Sequence, residues 1–278
     1  MSNDNLNELS FALDERNLAH VFSAVALCGL ASTHREARAE LSSCWWTEDG
    51  FVLKTTLTSL ALFESANEFV RSIRWVEGLG SAEQGTFCAS DEVGSNPFIK
   101  LADSGKQRCP LYTFSARVKP GSLIAEQQTS LNSPSEDSRW LEQVKIGVGS
   151  WGFDYRVNSH AYDLGFSSDA EQSGDQDPIF PAIELLSIAA SAFYADVHGW
   201  QTDPTTIRYF VWCEPVSLAL VGYAVAGRLN GLSGRSYLAT NRGAAYGKGA
   251  AYRFFPDAIP EPKKDLNNDR RREKQRQT

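Results

Sequence analysis

The spacing of hydrophobic and polar residues changes several times along the chain, and each change marks an element. From Asn17 to Ala31, "NLAHVFSAVALCGLA" is apolar nearly all round and rich in small residues, which predicts a helix buried on most sides. Asp14 or Asn17 stands where an N-cap is needed. "SCWWTEDGFVLKTTL" then reads as a hairpin: Cys44 to Thr47 extended, Asp49-Gly50 as the turn, and Phe51 to Leu57 extended again. Thr58 or Ser59 can cap a second helix running to about Glu77, with Leu62, Ala66, Phe69, Val70 and Ile73 near one face.

Between Gly78 and Gly149 the pattern weakens. "PFIKLA" and "LYTFSARV" are short strand candidates, and "SEDSRWLEQVKI" suits a short helix from Ser135. The mostly polar "KPGSLIAEQQTSLNSPSED" predicts a long loop around residues 119–138. Strand-like alternation mixed with polar residues returns at "GSWGFDYRVNSHAYDLGF". "PIFPAIELLSIAASAFYADV" predicts an amphipathic helix with Ile183, Leu186, Ala190 and Phe193 on one face, behind the acidic cap candidates Asp175 and Asp177. "TTIRYFVWC" is a β-branched and aromatic strand ended by Glu214-Pro215, whereas "VSLALVGYAVAGRL" fits helix or strand equally. The chain then offers two strands within "RSYLATNRGAAYGKGAAYRFF".

These elements predict an α+β fold: a mixed or antiparallel sheet with packed apolar helices, in one compact unit over residues 1–260 followed by a disordered basic tail over 261–278. A helix followed by an aromatic strand occurs twice, at Asn17 to Ala31 before Trp45 and at Pro181 to Asp196 before Tyr209. That recurrence hints at two similar halves.

Composition narrows the classes. With 278 residues, 42% of them hydrophobic and 22% charged, the chain can bury a large core. Five cysteines, odd in number and without a C-x-x-C pair, suggest neither a zinc ribbon nor a disulfide framework, and reduced thiols in a cytoplasmic protein fit best. No secretion signal opens the chain, and no apolar run reaches the roughly 20 residues of a membrane span, so a soluble protein without a membrane partner is expected. The net charge of -7 conceals a division, because the last sixteen residues hold seven Lys or Arg against three Asp or Glu. The rest of the chain is therefore near -11 (-7 minus 4).

Against that acidity stands "NRGAAYGKGAAYRFF", residues 241–255. If extended, it puts Arg242, Tyr246, Lys248 and Tyr252 on one face and Arg253 with Phe255 on the other. Cations can meet phosphates, tyrosines can stack on bases, and glycines let a backbone come close. A plain exposed hairpin with glycines in its turn accounts for the same residues. The G-x-x-x-x-G-K-[ST] arrangement of an NTP-binding loop is absent, since Gly249 follows Lys248.

Other chemistry is thinner. Asp154, His160 and Asp163 in "FDYRVNSHAYD" could be metal ligands or an acid-base set, but polar residues on a solvated strand and turn explain them as well. His20 reads as a satisfied core residue, while His34 and His198 sit at helix ends. Glu184, in the first turn of an apolar helix, is either favoured by the helix N-terminus or paired with an arginine such as Arg208 or Arg242. No G-x-S-x-G, H-E-x-x-H or Cys-His pairing occurs, so the residues themselves make little case for an enzyme.

Taken as a set, "NLAHVFSAVALCGLA", "CWWTEDGFVL", "FDYRVNSHAYDLGF", "FPAIELLSIAASAFYA", "YFVWCEPVSLALVGYAVAGRL" and "TNRGAAYGKG" resemble the layout of CRISPR-associated proteins of the type I-G class, formerly I-U. The resemblance spans most of residues 14–255. Leu18 and Ala19 stand where the family's first motif has Pro-Gly, and residues 78–149 match no motif of it. The resemblance implies a non-catalytic effector or accessory subunit of a type I complex in RNA-guided antiviral defence. Such a subunit would contact guide RNA or target DNA and other CRISPR-associated subunits, with no cofactor and no metal. Arg242, Lys248 and Arg253 would be the backbone contacts, and Tyr246 and Tyr252 the stacking partners. In such complexes base pairing reads sequence, so RNA-binding or DNA-binding subunits need shape and phosphate contacts rather than base-edge readers.

Overall fold

The computed structural model describes residues 6–77, 85–89, 99–103, 120–135, 139–146, 151, 154, 156, 178–194, 206–240 and 257–261. Its elements are β1 (Asn7–Phe11), α1 (Leu18–Thr33), β2 (Ser43–Thr47), β3 (Gly50–Thr55), α2 (Ser59–Ser72), β4 (Arg74–Glu77), β5 (Gly85–Ala89) and β6 (Ile99–Asp103). They continue with α3 (Pro120–Ser130), α4 (Pro181–Tyr194), β7 (Thr206–Trp212), β8 (Val216–Ser217), α5 (Val221–Val225), β9 (Gly234–Thr240) and β10 (Ile259–Pro260), with short 3-10 turns between some of them. The chain is an α+β protein. Its described strands form three antiparallel sheets, ordered β1-β3-β2-β8, β10-β9-β7 and β4-β5-β6.

Two helices with almost no polar surface make the centre. Every residue of α1 from Leu18 to Ala31 is buried, as its all-round apolar pattern requires. In α4, residues 181–190 are all buried, so the one-sided face expected there gives way to burial all round. The two helices pack on each other, and small residues let them approach closely. Ser23 Oγ donates to the Ile183 carbonyl at 3.1 Å, and Ser187 Oγ donates to the Ala19 carbonyl at 3.1 Å. One contiguous core runs through these helices, from Phe11 to Ala258 in the sequence.

The β2-β3 hairpin forms where its alternation places it, paired from Ser43↔Lys54 to Thr47↔Gly50. Gly50 sits at φ 135°, and a Cβ there would lie 2.2 Å from the Phe11 carbonyl oxygen, so the turn admits only glycine. Trp212, at the end of β7, donates its indole N–H to the Cys44 carbonyl at 2.8 Å and ties the second half of the chain to this hairpin.

Other stretches depart from the sequence reading, among them "SEDSRWLEQVKI", where the expected helix from Ser135 is a 3-10 turn at Trp140–Glu142. The second helix stops at Ser72 instead of running to about Glu77, because residues 74–77 leave it to pair as β4 with β5. The stretch expected as a loop around 119–138 contains α3, opened by Pro120 at its first turn, with Leu123, Ile124 and Gln127 buried along one side. Polar residues on its other side hide that stripe from a count of hydrophobicity. The ambiguous "VSLALVGYAVAGRL" resolves into β8, a 3-10 turn at Leu218–Leu220 and α5. "LYTFSARV" and the acidic caps Asp175 and Asp177 lie outside the described residues.

Candidate functional site

Arg242, Tyr246, Lys248, Tyr252 and Arg253 all lie outside the described residues, but both roots of their segment are defined. β9 ends at Thr240, and β10 returns beside it with Ile259 opposite Leu238 and Pro260 opposite Tyr237. Continued two residues, this register sets Thr240 across from Asp257. Residues 241–256 therefore leave one strand and rejoin its neighbour, the topology of a long hairpin connection. The returning root is held by the Ala258 N–H on the Arg16 carbonyl at 2.9 Å and by Arg16 against Asp257 at 3.7 Å.

The second candidate set has only Asp154 among the described residues, since His160 and Asp163 lie outside them. Asp154 occupies a bend and Arg156 a turn, and the Asp154 side chain is fully buried in a polar network between α1 and α4. Asn17 caps α1 by accepting the Ala19 N–H at 3.1 Å, and its amide donates to Asp154 Oδ1 at 2.8 Å. Arg156 Nε donates to both carboxylate oxygens, at 2.9 and 3.1 Å, and its guanidinium lies 3.5 Å over the Phe180 ring. Burial alone would push the Asp154 carboxyl up, but the hydrogen bonds and charge of Arg156, with His20 and Asn17 adding to them, hold it below the usual carboxylate range.

His20 packs beside this pair with one nitrogen satisfied. Its Nδ1 accepts the Asp14 N–H at 2.8 Å, so the neutral ring carries its proton on Nε2. Nε2 lies 3.8 Å from Asp154 Oδ2, too far for a hydrogen bond, and is a buried atom without a partner. The expectation of a satisfied core histidine holds for one nitrogen and fails for the other. Burial lowers the His20 pKa to about 4, Asp154 opposing this and Arg156 reinforcing it, so the contact is not an ion pair at neutral pH.

Of the two arginines suggested for Glu184, Arg242 lies outside the described residues and Arg208 is engaged elsewhere. The Glu184 carboxylate accepts the Trp151 N–H at 2.6 Å and the Asp154 N–H at 3.1 Å, while Arg208 pairs with Glu261 at 2.7 Å. Trp151 in turn donates its indole N–H to Gln127 Oε1 at 2.9 Å, joining α3 to the network. The chemistry of this cluster is that of a clamp. Metal binding or general-base action by Asp154 would have to displace Arg156 and Asn17. Among the described residues no three His, Cys, Asp or Glu side chains are grouped to hold a metal ion.

A wider cleft of ≈ 840 Å³ lies between the Ala12–Arg16 segment, the β2-β3 turn and the start of β9. Asp14, Glu15, Glu48 and Asp49 line it together with Arg16 and Arg235, which pair with Asp14 at 3.6 Å and Glu15 at 3.3 Å. Glu15 also accepts the Tyr237 hydroxyl proton. Burial, and then that bond to Glu15, push the Tyr237 hydroxyl up to about 12. Four carboxylates against two guanidiniums leave the lining net negative, which disfavours phosphates. No family model, no curated protein and no solved structure matches the chain. Among the described residues no helix is long and apolar enough to cross a membrane.

Proposed function

We propose that the chain is a non-catalytic subunit of a type I CRISPR effector complex, holding guide RNA or target DNA by its backbone through residues 242–253 and packing against neighbouring subunits. The observation that carries this reading is the rooting of that segment. A basic, aromatic and glycine-spaced sequence connects two adjacent strands of one sheet, both of which are described. Local cations on a chain of net charge -7 attract a polyanion at one place while the rest of the surface repels it. The described parts of the segments that carry the resemblance meet in the centre of the fold. Asn17 bonds Asp154, Glu184 bonds the backbone of Asp154, and Trp212 bonds Cys44.

Fluorescence anisotropy with labelled single-stranded RNA, single-stranded DNA and duplex DNA over a salt series tests the reading. Binding should survive removal of residues 263–278. Arg242→Ala with Lys248→Ala should weaken it for all sequences alike and reduce the salt slope by about 2. Binding that depends on the tail alone, or that ignores the double substitution, would remove the segment from this role. The acidic cleft favours a second reading, a protein-docking subunit without nucleic-acid affinity of its own, which predicts copurification with a larger assembly and no binding in this assay.

A further inference from the structure

The edge strand β1 points to a binding site for an extended basic peptide. β1 ends its sheet, pairing with β3 from Asn7↔Thr55 to Phe11↔Phe51, and among the described residues no strand pairs its other edge. Alternate backbone N–H and C=O groups of a strand point to each side, so about half of those in β1 face outward. Edge strands are normally blunted by shortness, charge, proline or a bulge; the five-residue "NELSF" has no lysine or proline and only Glu8 as a charge, which admits a basic strand while repelling an acidic one, and its pairing with β3 runs without a register shift.

A cleft of ≈ 280 Å³ runs along that edge. Leu9, Phe11, Phe63 and Leu141 form its apolar part, with the Phe11 and Phe63 rings edge to face at 5.8 Å. His20 also lines it, and its buried Nε2–H is the donor that has no acceptor. At the mouth stand Glu8 and Glu142, both exposed; Arg156 also lines the cleft, but its charge is paired with the buried Asp154. A backbone edge left open beside a cleft of mixed polar and apolar lining is the arrangement of β-strand addition, in which main-chain bonds give affinity and alternate side chains enter the groove.

Charge selects the occupant. Two carboxylates at the mouth repel nucleic acid, and a second copy of β1 would bring its own Glu8 toward Glu8 and Glu142. We infer that the β1 edge takes an extended segment of a partner protein in which Lys or Arg alternates with branched apolar residues. This inference does not rest on nucleic-acid binding by residues 242–253, and its test uses a separate readout.

The probe is a fluorescein-labelled octapeptide alternating lysine with valine and isoleucine, titrated against the full chain. One control has glutamate for each lysine, and another has proline at every second position. The lysine peptide should bind at least about tenfold more tightly than either control, and amide exchange at residues 7–11 should slow on its addition. Glu8→Lys with Glu142→Lys, both on exposed side chains, should invert the preference toward the glutamate peptide. Equal binding of the proline peptide, failure of the lysine peptide to bind, unchanged exchange in β1, or a dimer of the chain formed through β1 in sedimentation would each overturn the proposal.

Discussion

His20 and Glu184 show how one buried polar atom acquires measurable consequences. His20 stays neutral in the fold, with a pKa lowered to about 4 from an ordinary 6.5. Above pH 6.5 neither folded nor unfolded chain holds the proton, and this group gives no pH dependence. As pH falls from 6.5 toward 4, the unfolded chain takes up a proton that the folded chain refuses, so stability drops by about 3 kcal/mol. Urea midpoints at pH 7, 6 and 5 should therefore decline, and His20→Gln should flatten that decline. Asp154, whose folded pKa is depressed, adds its own loss as pH falls through the ordinary carboxylate range toward its lower folded value. Glu184→Gln replaces an acceptor pair facing two N–H donors with an amide that can serve only one of them well. It should cost about 2 kcal/mol in the same assay at neutral pH. An acid one turn into an otherwise apolar helix was a legible signal that Glu184 matters. Its partners were not legible, because they are backbone groups of residues 151 and 154, thirty and more positions away.

At the scale of elements, the sequence was readable wherever one periodicity ruled. α1, the β2-β3 hairpin and β7 lie where their patterns place them. α3 was not readable, because its stability is shared with α2 through polar side chains. Gln128 donates its amide to the carbonyls of Val70, Arg71 and Ile73 at 2.8, 3.1 and 2.9 Å, closing the C-terminus of α2. Arg71 returns the favour with its guanidinium on the carbonyls of Gln128 and Leu131 at 3.0 and 2.9 Å, closing the C-terminus of α3. Each helix end thus satisfies orphan carbonyls with a side chain from the other. Arg71→Ala and Gln128→Ala should each cost about 1 to 2 kcal/mol, and the double variant should cost less than their sum. A double-mutant cycle by urea unfolding measures that coupling. Strict additivity would mean the two caps act separately.

For the whole molecule, the decisive question is whether residues 241–256 belong to the fold or are carried by it. The register of β9 with β10 sets Thr240 across from Asp257 when continued, so their Cα atoms should be within about 5.5 Å of each other. A short turn can span that gap. The core from Phe11 to Ala258 draws on none of the described residues beyond β9 except Ala258, which is anchored separately on Arg16. Replacing residues 242–255 by a four-residue Asn-Gly-containing turn should therefore leave the urea midpoint nearly unchanged while abolishing salt-sensitive nucleic-acid binding. The shortened chain should keep its affinity for the lysine peptide, because the β1 edge lies on a different sheet. A large fall in the midpoint would make the segment part of the fold, and its glycines would then serve chain geometry alone. Binding that persists undiminished in the shortened chain would move the nucleic-acid surface elsewhere on the body.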